Sequence, residues 1–175
     1  MLMFATIMLH VAVLYSGFAP AQNPTVPTAG QPGSLAADFD LQNVAGGRTR
    51  LSEIQGRVIV LDFWATWAVP SQAEIPNLNR LHETLKGRGL QVTAIAADSG
   101  TAESIKERVS ELGVMYPVLT ADDKVMDAFG VVGFPTTFLL TRDARGWMIF
   151  GKYSGSSPAR TERILRDIET LLAEK

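Results

Sequence analysis

Three polar side chains that could take part in acid–base or nucleophilic chemistry lie in one short stretch: Asp62, Ser71 and Glu74. Asp62 interrupts an otherwise apolar run over residues 58–64, so burial is expected to raise the pKa of its carboxyl. Ser71 is a poor nucleophile without an adjacent base, and the two histidines, His10 and His82, are distant from it in sequence. The pattern indicates a buried acid and a hydroxyl that forms a local hydrogen bond.

Composition excludes several other chemistries. The chain has no cysteine and only two histidines, so no metal cluster is expected. No Gly-rich phosphate loop and no Ser-His-Asp order is visible in the sequence, and no cofactor is expected. The net charge of −2 is too small to indicate nucleic acid or an anionic membrane surface as the partner.

The charge distribution separates the beginning of the chain from the rest. Residues 1–37 carry no charged side chain, and residues 2–18 are almost all apolar. Residues 1–21 predict a signal peptide or an N-terminal anchor. The small residues of Ala19-Pro20-Ala21 favour cleavage, although no Lys or Arg precedes the apolar run. Residues 22–34 predict a flexible Pro/Gly-rich linker, and residues 35–175 the folded domain.

Either N-terminal interpretation places the domain outside the cytoplasmic membrane. It would be periplasmic or otherwise extracytoplasmic, and either secreted or anchored through its N-terminal segment. Membrane contact is expected only if that segment remains uncleaved.

Strand and helix patterns alternate through the domain. The elements that they predict must position Asp62, Ser71 and Glu74. They predict a β-hairpin from residues 39–42 and 48–51, a central buried strand at 58–64, a helix over 70–86, a strand at 90–97 and a helix at 101–112. An antiparallel pair follows at 136–140 and 147–152, and then a helix opened by Ser157-Pro158. This order predicts an α/β domain: a central mixed β-sheet flanked by helices, with an N-terminal β-hairpin extension.

Two motifs reveal a family resemblance. Residues 61–76 read LDFWATWAVPSQAEIP, which resembles the pattern D-F-W-A-x-W-C-x-P-C-x-x-E-x-P. Residues 129–140 read FGVVGFPTTFLL, which resembles G-V-x-G-x-P-T-T-F-L-I. With the leading hairpin, these motifs make residues 35–173 similar to the TlpA/ResA-type redoxins of the thioredoxin superfamily. The resemblance implies a thioredoxin-like fold, with a helix kinked at Pro76.

The resemblance also implies an active site that has lost both cysteines. In relatives, a Cys at the position of Ala68 lies at a helix N-terminus and attacks a substrate disulfide. A second Cys, at the position of Ser71, resolves the mixed disulfide. Asp62 and Glu74 match acids near that redox pair. Their alternatives are a buried acid bonded to backbone or water for Asp62, and a solvated first-turn residue for Glu74.

A substrate groove is implied by the same resemblance. Pro135 matches the family's cis-proline, which presents its backbone neighbours to an extended substrate peptide. Six residues are expected to form the groove: Trp67, Val69, Pro70, Phe134, Pro135 and Thr136. Trp67 is expected on its exposed rim, and Trp64 in the core. A polypeptide or partner protein could bind there by strand addition without any redox step.

Two functions remain open. The first is a natural, degenerate thioredoxin-like domain that is redox-inactive and binds a polypeptide or a partner protein. The second is a Cys-less, engineered form of an active thiol–disulfide oxidoreductase. The runner-up interpretation of the fold, the peroxiredoxin branch, requires a peroxidatic Cys in a different loop context, and the chain has none.

Overall fold

The computed structural model of this protein describes residues 29–173. The predicted signal or anchor at 1–21, and the predicted linker before residue 29, lie outside the described residues. The strands are β1 (Asp40–Gln42), β2 (Arg48–Arg50), β3 (Val58–Trp64), β4 (Leu90–Ala96), β5 (Val118–Thr120), β6 (Thr136–Asp143) and β7 (Gly146–Ser154). The helices are α1 (Val69–Gln72), α2 (Ile75–Leu85), α3 (Ala102–Glu111), α4 (Asp123–Phe129) and α5 (Pro158–Ala173). Short 3-10 turns span Leu51–Glu53 and Lys86–Arg88.

Strand β3 is the middle of a five-stranded sheet, and every one of its residues is buried. The strand order is β5-β4-β3-β6-β7. Strand β4 runs parallel to β3 and β5, whereas β6 runs antiparallel to β3 and β7. Strands β1 and β2 form a separate antiparallel pair. The predicted mixed sheet, its flanking helices and the hairpin extension are thereby confirmed.

The alternation of side chains along β3 decides what Asp62 faces. Val58, Val60 and Trp64 pack on one side of the sheet with residues of α2, α3 and α5. The apolar residues between them pack on the other side, against α4 and the hairpin. Because successive side chains of a strand point to opposite faces, Asp62 shares the side of α2 and α5. Polar groups from the segments around those two helices can therefore reach its carboxyl.

The structure corrects one predicted element and adds two that were not predicted. The helix expected over 70–86 is two helices, α1 and α2, interrupted around Ala73 and Glu74, and Pro76 stands in the first turn of α2. Proline has no backbone donor for a helix interior but suits the start of a helix, so α2 begins there. Helix α4 was not predicted, although Asp122 caps it by accepting from the Val125 N–H at 2.8 Å. Strand β5 is only three residues long and was also not predicted.

Both edges of the main sheet are partly covered by other segments. The Gly33 N–H donates to the Ile149 carbonyl at 2.8 Å, and the Ile149 N–H donates to the Ser34 carbonyl at 2.9 Å, along β7. The Val44 N–H, after the hairpin's first strand, donates to the Val118 carbonyl of β5 at 3.0 Å. Residues 33 and 34, at the end of the predicted linker, thus already pair with the domain. Such cover limits edge-to-edge association.

Candidate functional site

The two positions where the family has its cysteines lie at the start of α1. Ala68 is the N-cap residue, and the Ser71 N–H donates to its carbonyl at 3.0 Å. Pro70 stands in the first helical turn, where its missing N–H costs nothing. Both Ala68 and Ser71 are buried. Among the described residues, the buried Ser71 hydroxyl has no hydrogen-bond partner, so the local bond predicted for it is absent.

A second loop holds the exposed rim of this site. The Trp67 indole N–H donates to the Asp98 carbonyl at 2.8 Å, and the Thr66 N–H donates to the Ser99 hydroxyl at 3.0 Å. Asp98 has a φ of 47°, a left-handed conformation that aspartate tolerates better than most residues. The Trp67 ring is 63% exposed, as predicted for the rim, whereas Trp64 is buried in the core.

The segment before β6 lies beside Trp67, where the resemblance implies a substrate groove. The Phe134–Pro135 peptide bond is cis, as the resemblance implies. The Phe134 ring packs edge-to-face against Trp67, with ring centroids 6.5 Å apart. The Pro135 carbonyl accepts from the Gly155 N–H at 2.9 Å, and the buried Thr136 hydroxyl donates to the Gly133 carbonyl at 2.8 Å. Within the described residues, the Phe134 N–H and carbonyl have no hydrogen-bond partner.

A buried polar network lies beneath the site. The Thr137 hydroxyl donates to the Asp62 Oδ1 at 2.6 Å and accepts from the Arg160 guanidinium. Arg160 also lies 3.6 Å from a Glu74 carboxylate oxygen, and both of these side chains are only 8% exposed. One Arg160 nitrogen, Nε, is buried and has no partner among the described residues. The two acids predicted for the site are therefore joined through Thr137 and Arg160.

Glu74 is buried, whereas one of its two interpretations required an exposed carboxylate. Its carboxylate accepts from Ser156 and, at 3.5 Å, from the Thr161 hydroxyl. The alternative of a solvated first-turn residue is therefore wrong. Asp62 bonds to a side-chain hydroxyl rather than to the backbone.

Burial dominates the electrostatics of Asp62. It raises the pKa of the Asp62 carboxyl to about 7, and the nearby Glu74 carboxylate acts in the same direction. The hydrogen bond from Thr137 and the positive charge of Arg160 oppose this rise. Tyr116 faces the same cluster, and burial raises its pKa, helped by the charges of Asp62 and Glu74. The site thus retains a buried acid that changes charge near neutral pH.

Besides Thr137, the sequence reasoning missed Arg160. It lies in α5, far along the chain from Asp62 and Glu74. A signal was available, because Arg160 precedes the buried Ile164 and Ile168 at steps of four residues and so falls on the apolar stripe of the helix. A charged residue on such a stripe needs a buried partner.

Metal-binding and membrane-spanning features are absent from the part of the chain that the structure describes. Residues 29–173 contain no group of three or more metal-ligating side chains that could hold an ion. No helix within the same range is long and apolar enough to cross a bilayer.

The fold and the site define a thioredoxin-like protein, and comparison with known proteins agrees. A model of the AhpC/TSA family matches residues 32–145, and the chain belongs to that family. The thiol-disulfide oxidoreductase ResA of Bacillus anthracis is 30% identical over 133 residues, 75% of this chain and 73% of that protein. ResA of Geobacillus kaustophilus (strain HTA426) is 33% identical over 120 residues, 68% of each chain.

Solved structures agree with this assignment. A structure from Chlorobium tepidum, named as a thiol:disulfide interchange protein DsbE, matches with a TM-score of 0.73 and 28% identity. The match covers 82% of this chain and 99% of that one. The resemblance to TlpA/ResA-type thioredoxin-like proteins is confirmed, and the chain is a cysteine-free member of a thiol–disulfide oxidoreductase family.

Proposed function

We propose that this protein is an extracytoplasmic, redox-inactive thioredoxin-like domain that binds a polypeptide or a partner protein at the Trp67–Pro135 groove. One observation carries the proposal. The two positions of the redox pair hold Ala68 and Ser71. In the cis-proline segment beside them, the backbone donor and acceptor of Phe134 have no partner among residues 29–173. The side chains for disulfide exchange are lost, whereas the backbone groups that could bind a polypeptide remain.

The loss of activity follows from what disulfide exchange requires. A thiolate must attack a disulfide sulfur, and a second thiol must resolve the mixed disulfide. Ala68 has no nucleophilic atom. The Ser71 hydroxyl is buried, and no base contacts it among the described residues. Its pKa lies far above that of a thiol, so it cannot replace the resolving cysteine.

Binding does not depend on those two side chains. An extended chain beside Pro135 could accept a hydrogen bond from the Phe134 N–H and donate one to its carbonyl, as in strand addition. Each such bond contributes about 0.5–1.5 kcal/mol net, so a complex based on backbone contacts alone would be weak.

The extracytoplasmic location is proposed from the uncharged, apolar start of the chain. Cleavage after Ala21 would release the domain, whereas an uncleaved segment would anchor it. N-terminal sequencing of the protein from fractionated cells tests this: a mature chain starting at Gln22 supports cleavage, and recovery in the cytosol contradicts the proposal.

Polypeptide binding can be tested with a permanently unfolded chain, such as a reduced and carboxymethylated protein, as the probe. We expect amide shifts on titration to cluster at Trp67, Phe134 and Thr136. Shifts confined to the C-terminal helix would contradict the proposal.

The second candidate is the Cys-less form of an active oxidoreductase. The buried Asp62, with its pKa raised to about 7, favours it, because such an acid suits proton exchange with a resolving thiol. The codons of the natural gene at positions 68 and 71 decide between natural loss and engineering.

A further inference from the structure

A pocket of about 250 Å³ lies at the end of the main sheet that is remote from Ala68 and Pro135. Strand β6 begins just after Pro135, and Arg142, near its other end, lines the pocket, so the two sites are on the order of 20 Å apart. Apolar and charged side chains together form the pocket walls: Leu35, Leu51, Trp147, Asp38, Arg142 and Arg145. Apolar walls with a few polar groups are typical of sites for small molecules.

The Arg142 guanidinium is held in this pocket without an anionic partner. It lies over the Trp147 ring, 5.1 Å from the ring centroid, and donates to the Ser52 carbonyl at 3.0 Å. Among residues 29–173, no carboxylate forms an ion pair with it. Arg145, the other cation of the pocket, is already paired with Asp143 at 2.7 Å. Arg142 therefore retains donors that suit a carboxylate from a bound molecule.

Ser52 holds the acid of the pocket apart from Arg142. The Ser52 N–H and hydroxyl donate to the two carboxylate oxygens of Asp38 at 2.9 and 3.0 Å. The Ser52 carbonyl accepts from Arg142, so one residue bonds to both charged groups. Asp38 and Arg142 form no ion pair with each other, although both line the pocket. A carboxylate has more lone pairs than these two bonds use, so Asp38 can also accept from a cation.

Trp147 adds a donor to the same pocket. The side chain is only 3% exposed, and its indole N–H has no hydrogen-bond partner within the described part of the chain. Buried donors are seldom left unpaired in native proteins. Because Trp147 lines the pocket, a molecule bound there could supply the acceptor.

We propose that this pocket binds a free amino acid with an apolar side chain. The ligand carboxylate pairs with Arg142, its ammonium with Asp38, and its side chain packs against Leu35 and Leu51. Two opposite charges held side by side without contact are complementary to a molecule that carries both. A dianion such as phosphate would meet the Asp38 carboxylate as well as Arg142. The volume equals that of about eight water molecules, which suits an amino acid and is below most cofactor sites.

Calorimetric titration of the full-length protein with leucine tests the proposal. Three matched probes each lack one feature: isocaproate lacks the ammonium, isoamylamine lacks the carboxylate, and glycine lacks the apolar side chain. We expect leucine to bind about tenfold more tightly than each of them. In NMR spectra, leucine should shift the indole N–H signal of Trp147 and leave that of Trp67, at the other end of the sheet, unchanged.

Matched variants assign the two charges of the ligand. Arg142 and Asp38 are both exposed, so R142Q and D38N should keep the fold, and the thermal midpoint checks this. We expect each variant to weaken leucine about tenfold. R142Q should leave isoamylamine binding unchanged, and D38N should leave isocaproate binding unchanged. The control, R80Q, changes an exposed arginine of α2, which packs on the opposite face of the sheet from Trp147, and it should leave leucine binding unchanged.

Other results overturn the inference in distinguishable ways. Isocaproate binding as tightly as leucine would refute the role of Asp38, and isoamylamine binding as tightly would refute that of Arg142. Absence of binding by leucine, valine and phenylalanine would refute the site as a whole. A shift at Trp67 in place of Trp147 would put the ligand in the groove and also refute it. The proposed polypeptide binding is independent of these outcomes, because the pocket and the groove lie at opposite ends of β6.

Discussion

Replacement of Asp62 by Asn tests the buried network most directly. The Asp62 carboxyl has an ordinary pKa of 3.8, which burial raises to about 7 in the folded protein. Asn has nearly the same shape and keeps an oxygen that can accept from the Thr137 hydroxyl, but it cannot ionise. The D62N variant therefore removes the titration and leaves the packing in place.

The direction in which pH changes the stability follows from the linkage between proton binding and folding. A carboxyl whose pKa is raised by folding binds its proton more tightly in the folded state, so its contribution to stability is full below pH 3.8. That contribution is lost as the pH rises through the interval from 3.8 to about 7. A difference of about 3 pKa units at about 1.4 kcal/mol per unit corresponds to about 4 kcal/mol.

Urea unfolding of both proteins across the range from acid to mildly alkaline pH measures this difference. We expect the free energy of unfolding of D62N, relative to the unchanged protein, to rise by about 4 kcal/mol from pH 4 to pH 8. The comparison cancels the titration of carboxyls that the two proteins share. A difference that stays flat with pH would show that Asp62 remains ionised in the folded protein, paired through Thr137 with Arg160. That result would refute the conclusion that burial outweighs the Thr137 hydrogen bond and the Arg160 charge at Asp62.

Three further outcomes are expected. The purified protein should give no turnover above the no-protein control in an insulin-reduction assay, because it has no thiol. The double substitution A68C/S71C should restore a dithiol, and the thiol at position 68 should titrate below the free value of about 8.5, since it lies at a helix N-terminus; a pKa at or above that value would contradict this. R160Q should lower stability by about 3–5 kcal/mol in urea unfolding, because Glu74 would lose its buried counter-ion. In the same variant a carboxyl NMR titration should show the pKa of Asp62 higher, since the charge of Arg160 lowers it.

Local signals were sufficient to predict most of the fold. The unbroken apolar run over residues 58–64 predicted a buried central strand, and the helical spacing of apolar residues predicted α5; both are confirmed. The helix predicted at 101–112 is α3, and Thr101 caps it by accepting from the Ser104 N–H at 3.2 Å. Helix α4 was missed because seven residues give little periodicity, although Asp122 signalled its start. Strand β5 was missed because three residues cannot show alternation.

The candidate site was only partly accessible to sequence reasoning. Motif spacing placed Asp62, Ala68 and Pro135, because each occupies a fixed position on a strand or a turn. The link between Asp62 and Glu74 could not be predicted, because it runs through Arg160. Arg160 lies in α5, and the sequence does not show which face of the sheet α5 covers. The sequence also could not show that the Ser71 hydroxyl lacks a hydrogen-bond partner among the described residues, because this depends on packing around α1.

The retained acids do not require a surviving redox activity to explain them. Arg160 is always charged and almost entirely buried, so it needs an anion in contact, and Glu74 provides one. Thr137 joins the same guanidinium to Asp62, which ties α5 to the central strand pair. Removing one partner would leave a buried charge uncompensated, a loss far larger than that of most surface changes. Within residues 29–173, the Ser71 hydroxyl makes no hydrogen bond to this network and Ala68 has no polar side-chain atom, so these two residues can stand where relatives have cysteines without disturbing it. The network holds α5 against the central strand pair beneath the site, and we propose that this keeps the expected groove in shape for binding.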